Sequence, residues 1–334
     1  MVKISPMMQQ YLDIKNKHKD SILFFRLGDF YEMFFDDAKL ASEELDLTLT
    51  GKDYGQDERA PMCGVPYHSC ESYISRLVSK GYKVAMCEQM ELPSEAKGIV
   101  RREVVRIITP GTVTEDSMLE ESRNNYLASI YYSKKLGSAG ACFCDISTGE
   151  LKATEIKESP SEILNLLKNE IGKFSPTEVL VGGDIEFLEP LKSFFKDKLY
   201  CRIEILDKDV SLEDSKDVLK NHFGSEEIER YNKETPLRSL GNLFEYLKQT
   251  QKNELNNIKN IHFFNSTEFM GLDLNTLRNL EIVETMRSKQ KKGSLLWALD
   301  KTKTPMGRRL LRSWVERPLR DVQKIGYRQE AVEE

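Results

Sequence analysis

The feature that most limits the fold is a change of apolar period along the chain. Up to about residue 113, runs of strand character alternate with helical stripes. Ile22 to Leu27 is a near-continuous apolar run of strand length, residues 71–80 have helical spacing and stop at Gly81, and 83–87 and 104–108 read as strands. An acidic stretch at 114–123 interrupts the pattern, which then starts over: strands at 126–132, 139–146 and 150–156, a helix at 161–172, then strands at 178–182 and 201–206. From 267 onward only helical spacing remains. Leu274, Leu277, Leu280, Val283 and Met286 form one stripe, and 295–299 and 305–315 predict two more helices. Three such regimes in 334 residues predict an α/β multidomain chain. The expectation is a mixed-sheet α/β domain over 1–113, a linker over 114–125, a second α/β domain over 126–252, and the start of an all-α core domain over 253–334. That last domain is expected to be incomplete, because the sequence stops inside a helical pattern without a C-cap.

Composition excludes several classes. With 40% hydrophobic and 31% charged residues the chain is globular, not disordered. No run approaches ~18 apolar residues, so no membrane span is expected, and the opening residues are too polar for a signal peptide. The six cysteines are scattered and read as reduced thiols of a cytosolic protein. Cys63, His68 and Cys70 lie close in sequence but lack the paired spacing of a zinc knuckle, and no metal is expected. Cys142 and Cys144 share one strand face and read as core. His222 and His262 show no sequence partners. The net charge of −5 is unevenly spread. Thirteen Lys or Arg between 287 and 328 face only Asp300, Glu316 and Asp321, and a smaller cluster comprises Lys97, Arg101, Arg102 and Arg106. Such patches suit phosphate contact or ionic bracing between helices, and bracing is the preferred reading of the larger one.

The most informative stretch is Gly28-Asp29-Phe30-Tyr31-Glu32. Asp29 reads as an N-cap, followed by a helix whose stripe is Tyr31, Phe34, Phe35, Ala38, Ala41 and Leu45. Phe30 falls outside that stripe. An apolar ring free of the core can wedge between base steps, at a cost of a few kcal/mol that falls where a mismatch has already weakened the stack. Stacking a base on the ring returns roughly 1–3 kcal/mol whatever the base. Glu32 could hydrogen-bond a base and repel the phosphates of intact duplex. The same spacing also fits a capping box, with Glu32 turned to its own backbone and Phe30 in the core. Spacing alone leaves both readings open.

The surrounding blocks carry a resemblance. Pro6-Met7-Met8-Gln9-Gln10-Tyr11, Arg26-Leu27-Gly28-Asp29-Phe30-Tyr31-Glu32, Pro61-Met62-Cys63-Gly64-Val65-Pro66-Tyr67-His68, Val84-Ala85-Met86-Cys87-Glu88-Gln89 and Val104-Val105-Arg106-Ile107-Ile108-Thr109-Pro110-Gly111-Thr112 resemble, in order and spacing, the MutS DNA mismatch-repair family. Asp145-Ile146-Ser147-Thr148-Gly149-Glu150 and Thr304-Pro305-Met306-Gly307-Arg308-Arg309-Leu310-Leu311 extend it along the chain. The resemblance implies a mismatch-binding domain, a ribonuclease-H-like connector, and the beginning of a helical core and lever. It implies that Phe30 inserts beside a mispaired base from the minor groove and that Glu32 hydrogen-bonds that base. Met62, Val65 and Pro66 match a loop near the same groove, and Arg102 and Arg106 are candidates for phosphate contact. The implied partners are duplex DNA bearing a mismatch or small loop, a second copy of the protein, and downstream repair proteins. The implied location is the cytoplasm, at the nucleoid.

The family's ATPase needs a Gly-x-x-x-x-Gly-Lys-Ser/Thr loop to cradle phosphates. Five positions before the glycine of Gly51-Lys52 stands Asp46, and before that of Gly172-Lys173 stands Leu167. Neither fits, so this chain is not expected to be an enzyme; ATP and Mg²⁺ would belong to a further C-terminal part. Two alternatives stay open. Asp145, with Glu178 or Asp184, could mark a ribonuclease-H-fold nuclease or a phosphotransferase, which needs carboxylates converging on metal ions. The chain could instead be a non-catalytic interaction scaffold with Phe30 buried.

Overall fold

The computed structural model describes residues 4–55, 58–91, 94, 98–252 and 255–333. Two compact units divide the chain, one formed by Met1–Met118 with Tyr246–Glu254, the other by Leu119–Glu245 with Leu255–Glu334.

The first unit opens with α1 (Pro6–Lys17), capped by the Ser5 hydroxyl and started by Pro6. Then follow β1 (Ile22–Leu27), β2 (Phe30–Phe34), α2 (Phe35–Leu45), β3 (Thr50–Lys52), β4 (Ala60–Pro66), α3 (Cys70–Ser79), β5 (Val84–Gln89) and β6 (Arg102–Ile108). They make one mixed sheet in the order β3-β4-β2-β1-β5-β6, antiparallel except for the parallel pair β1–β5. Side chains alternate across it. On one face Leu23, Phe25, Phe34, Ala85 and Cys87 pack beneath Met8 and Tyr11 of α1. The Tyr11 ring meets Phe25 and Phe34 edge-on, at 5.4 and 4.9 Å. On the other side Cys63 of β4 reaches the Ala38 carbonyl of α2. Asp37 ties the layers together, accepting hydrogen bonds from the Leu23 amide and the Tyr11 hydroxyl and pairing with Lys15 at 2.8 Å.

This arrangement corrects the expected helix start at Asp29. Residues 30–34 are a strand, and Gly28-Asp29 is the two-residue loop of a hairpin in which Leu27 faces Phe30. Gly28 has φ +59°, the left-handed value that the first residue of such a loop requires and that glycine adopts without penalty. The run Phe-Tyr-x-x-Phe favours a pleated, half-buried surface over a helix.

The second unit carries β7 (Leu127–Ser133), β8 (Ser138–Asp145), β9 (Glu150–Ile156), α4 (Pro160–Phe174), β10 (Glu178–Gly183), α5 (Ile185–Phe194), β11 (Arg202–Ile205), α6 (Leu212–Phe223), α7 (Ser225–Arg230), α8 (Glu234–Gln251, its last residues belonging to the first unit) and β12 (His262–Phe263). The sheet order is β11-β10-β7-β8-β9-β12. The β7-β8-β9 meander is antiparallel, while β10 runs parallel to both β7 and β11. Ala128, Ile130, Ala141 and Phe143 face α4 and α5, with the Phe143 ring stacked on Phe174 at 3.8 Å. The opposite face meets α8, where the Ser239 hydroxyl bonds the Ser129 carbonyl. Gly140 permits that approach, since a Cβ there would sit 2.1 Å from the Thr235 carbonyl oxygen. A sheet covered on both faces accounts for β7 and β8 being buried throughout.

After β12 come α9 (Leu274–Asn279), α10 (Leu295–Leu299), α11 (Pro305–Glu316) and α12 (Val322–Glu333). The two-residue strand at 262–263 pairs with β9 and precedes residue 267, from which only helical spacing was expected. The stripe predicted to run to Met286 stops at Asn279. Beyond it Glu281 turns to φ +50° and its carboxylate takes the Met286 amide, while Thr285 bonds Gln290, so side chains replace helical bonds. Farther on, Lys291 and the Thr302 hydroxyl hold the Asp300 carboxyl down at about 2. A depressed acid stabilises the fold fully above its ordinary range and loses that contribution as pH falls toward its folded value. Unfolding midpoints should therefore drop between about pH 4 and pH 2, and Asp300→Asn should flatten that limb; identical acid titrations of the two proteins would contradict it.

Candidate nucleic-acid interface

Strand β2 sets the geometry. Residues two apart on a strand point to the same side, so Phe30, Glu32 and Phe34 share a face while Tyr31 and Met33 share the other. Phe34 is closed in beneath Tyr11, but Phe30 lies at the far end of the strand and is 47% exposed. It is flanked by Leu27 of β1 and Pro66 of β4. Burial of Phe30 in the core, which both the scaffold reading and the capping-box reading required, is thereby excluded. Glu32 is not turned to its own backbone either. Its carboxylate pairs with Lys52 of β3 at 2.5 Å, and Gly64 stands opposite it. A Cβ at Gly64 would come within 3.5 Å of the Glu32 side chain and 3.3 Å of the Tyr31 carbonyl, so glycine leaves that carboxylate its room.

The hairpin end is firmly held. The Tyr67 amide bonds the Asp29 carbonyl at 2.9 Å, and the Arg26 guanidinium lies 3.8 Å over the exposed Tyr67 ring. Tyr31, on the opposite face, donates its hydroxyl to Glu88. The end of the sheet thus offers two exposed rings, Phe30 and Tyr67, a carboxylate on the face of Phe30, and cations on β1 and β3. That combination can stack a base, bond its edge and meet phosphate oxygens.

The other residues singled out from sequence divide sharply. Pro66 is partly exposed directly beside Phe30, and Met62 is partly buried opposite Phe34. Val65 is fully buried and offers its side chain to nothing outside the core. Arg102 is 7% exposed; its guanidinium donates to the Arg26 and Val100 carbonyls and to Gln10, because β6 needs those groups satisfied where water is excluded. Arg106 is held by Glu115, the Thr112 carbonyl and the Thr114 hydroxyl. Both guanidinium groups are thus engaged by partners within the first unit. In the same small cluster Arg101 is exposed and pairs loosely with Glu103 at 3.5 Å, and Lys97 lies outside the described residues. Sequence reasoning missed Lys52 and Arg26. The two-residue Gly-Asp loop was the signal that would have placed Phe30 and Glu32 on a strand and drawn attention to the strands beside it.

Asp145 does not assemble a nuclease centre. It is 1% exposed, and its carboxylate is occupied by the Ser147 amide and hydroxyl, the Thr148 amide and Asn124. Asp184 instead accepts from the Lys134 amide. Among the described residues no three His, Cys, Asp or Glu side chains could hold a metal ion, which covers the Cys63, His68 and Cys70 set as well. All six cysteines are free thiols. His222, which showed no partner in sequence, bonds the Ile258 carbonyl at 2.8 Å. No helix among the described residues is long and apolar enough to cross a membrane.

Family models for MutS domain I, MutS domain II and MutS domain III match residues 5–117, 125–259 and 275–334 of the chain. Proteins named DNA mismatch repair protein MutS from Acetivibrio thermocellus, Ruminiclostridium cellulolyticum and Clostridium tetani are 51%, 50% and 50% identical to it over the whole chain. The chain spans 38%, 38% and 36% of their respective lengths. With three domain models in family order and half of all residues shared, the chain belongs to the MutS family and corresponds to its N-terminal portion.

Proposed function

We propose that this chain recognises mismatched or unpaired bases in duplex DNA, the initiating step of mismatch repair, by inserting Phe30 beside the faulty pair from the minor groove. The observation that carries the reading is a large apolar ring left 47% exposed on a paired strand, with a carboxylate two residues on along the same face. Stacking supplies affinity without regard to base identity, and the reduced cost of opening a weakened stack supplies preference for the lesion. Glu32, released from Lys52, accepts a hydrogen bond from the base edge. A binding titration of the chain on matched and mismatched duplexes, run at several salt concentrations, tests this directly. Tighter binding to the mismatch is expected at each salt, and equal affinities throughout would sink the proposal.

Glu32 also sets a penalty on intact duplex, because a fixed negative charge approaches phosphates there. Removing it should relax that penalty. At low salt Glu32→Gln should bind matched duplex roughly two- to fivefold more tightly, the scale of one solvent-screened charge pair, and gain less on the mismatch. Unchanged matched-duplex affinity at low ionic strength would count against the role.

In this proposal residues 1–113 are the mismatch-binding domain, 114–125 a linker, 126–252 a ribonuclease-H-like connector and 253–334 the start of the helical core and lever. The antiparallel β7-β8-β9 meander, extended by parallel β10 and β11, supports the connector reading. ATP and Mg²⁺ use, pairing into a homodimer and engagement of downstream repair proteins are assigned to a full-length family member, at the nucleoid in the cytoplasm. The sequence has no Gly-x-x-x-x-Gly-Lys-Ser/Thr loop, so this chain contributes DNA reading and not hydrolysis.

A further inference from the structure

A second cationic feature lies far along the sequence from Phe30, inside the second unit. The end of α4, the segment preceding β7 and the last turns of α11 enclose a cleft of about 30 Å³. Four guanidinium groups line it. Arg123 donates to the Ser175 carbonyl at 3.0 Å, and burial together with the charge of Arg312 pushes it below the usual guanidinium range. Arg312 pairs with Glu316 at 2.9 Å. Arg317 is 6% exposed, lies 4.3 Å over the Phe174 ring and donates one terminal nitrogen to the Ser313 hydroxyl, while its Nε has no hydrogen-bond partner. Arg309 lines the same cleft, with no ion pair or hydrogen bond among the described residues.

The opposing charge is small. Glu316 is the one carboxylate on the lining, and burial pushes its pKa up in spite of Arg312, Arg317 and Arg123 around it. Lys173 also lines the cleft but is already matched by Glu170 at 2.7 Å. From outside the lining Glu120 and Glu284 act on Arg123, and Glu150, already paired with Lys152, acts on Arg317. An i,i+4 ion pair within α11 accounts for Arg312 and Glu316. It does not account for a buried Nε left unpaired beside an idle neighbouring arginine, since an unsatisfied buried donor is a standing cost.

We infer that this cleft is a binding site for a single oxyanion of the phosphate class. Planar guanidinium forks match the paired oxygens of such an ion, and an acceptor here would satisfy the Arg317 Nε and employ Arg309. The volume corresponds to roughly two waters, the space of one oxyanion group and not of a nucleoside. The site lies outside the mismatch-reading strand and takes a different ligand, so it stands or falls independently of the proposed function.

Inorganic phosphate is the probe, with sodium chloride at matched ionic strength as reference. Phosphate at about a hundred times its Kd should raise the Tm of the chain by roughly 5–10 °C, saturably. General exclusion of phosphate from protein surfaces also raises Tm but does not saturate. Arg309→Gln, a change at a side chain that braces nothing, should weaken the apparent Kd about tenfold or more while leaving Tm in chloride unchanged. Arg312→Gln should do the same if it folds. A duplex oligonucleotide titrated against the parent chain and Arg309→Gln distinguishes the source: equal affinities mean that the ligand is the free ion, and weaker binding by Arg309→Gln means that a backbone phosphate occupies the cleft. Either result keeps the oxyanion site, whereas a wild-type response no different from chloride, or one undiminished in Arg309→Gln, overturns it.

Discussion

Phe30→Ala should abolish most of the preference for mismatched over matched duplex while leaving the melting temperature almost unchanged. The ring contributes little to the core, being 47% exposed at the strand end, and surface substitutions of that kind usually stay within about 0.5 kcal/mol. Its value in the complex is the stacking energy of roughly 1–3 kcal/mol, which corresponds to a loss of about five- to 150-fold in mismatch affinity. Affinity for matched duplex should change far less, because there the ring finds no loosened step to enter. The decisive measurement pairs the two duplex titrations with a thermal melt. A variant that keeps its discrimination, or that loses it only by unfolding, would remove Phe30 from the reading mechanism.

The opposite pattern is expected of another phenylalanine. Phe143 is fully buried on β8, stacked flat on Phe174 at 3.8 Å and enclosed between the sheet and α4. Phe143→Ala empties that position and should cost about 3–5 kcal/mol, the range for deleting a large aromatic side chain from a packed core. At about 2–4 °C per kcal/mol for a unit of this size, the unfolding of the second unit should shift down by roughly 6–20 °C. The first unit, whose core contains none of these rings, should keep its own transition and its DNA preference. A Phe143→Ala protein that melts as the parent does would mean that the stacked pair is not structural. The two substitutions together separate a ring that serves a ligand from one that serves the fold.

How far the fold could be read in advance depended on how much local pattern each element carries. The meander β7-β8-β9, helix α4 and strand β10 were legible within a residue or two, since long apolar runs bounded by turns leave little choice of period. The stretch around Phe30 was misread because Tyr31, Phe34, Phe35 and Ala38 satisfy helical spacing while the loop chemistry of Gly28-Asp29 demands a hairpin. Loop chemistry prevailed once β1 and β4 were available to pair on either side. The stripe from Leu274 was over-extended because side-chain bonds at Glu281 and Thr285 are invisible to periodicity. Of the proposed site, the exposure of Phe30 was legible from its place outside the helical stripe, while the roles of Phe30 and Glu32 rest on the resemblance alone. Lys52 was not legible, because its role arises from a cross-strand meeting twenty residues away. Arg102 and Arg106 looked like free cations for the complementary reason: their acceptors are backbone carbonyls and distant side chains that no linear pattern reveals.

The hairpin that carries Phe30 has no slack. Its loop is two residues long, one flank is zipped to β1 and the other to β4, and the Tyr67 amide pins the turn. In the proposed reading, a finger mounted so stiffly does not bend to suit the double helix, and the yielding comes from the DNA. What such a probe senses is then the mechanical give of a base step more than its chemical lettering, and faults of quite different composition become equivalent whenever they are equally soft.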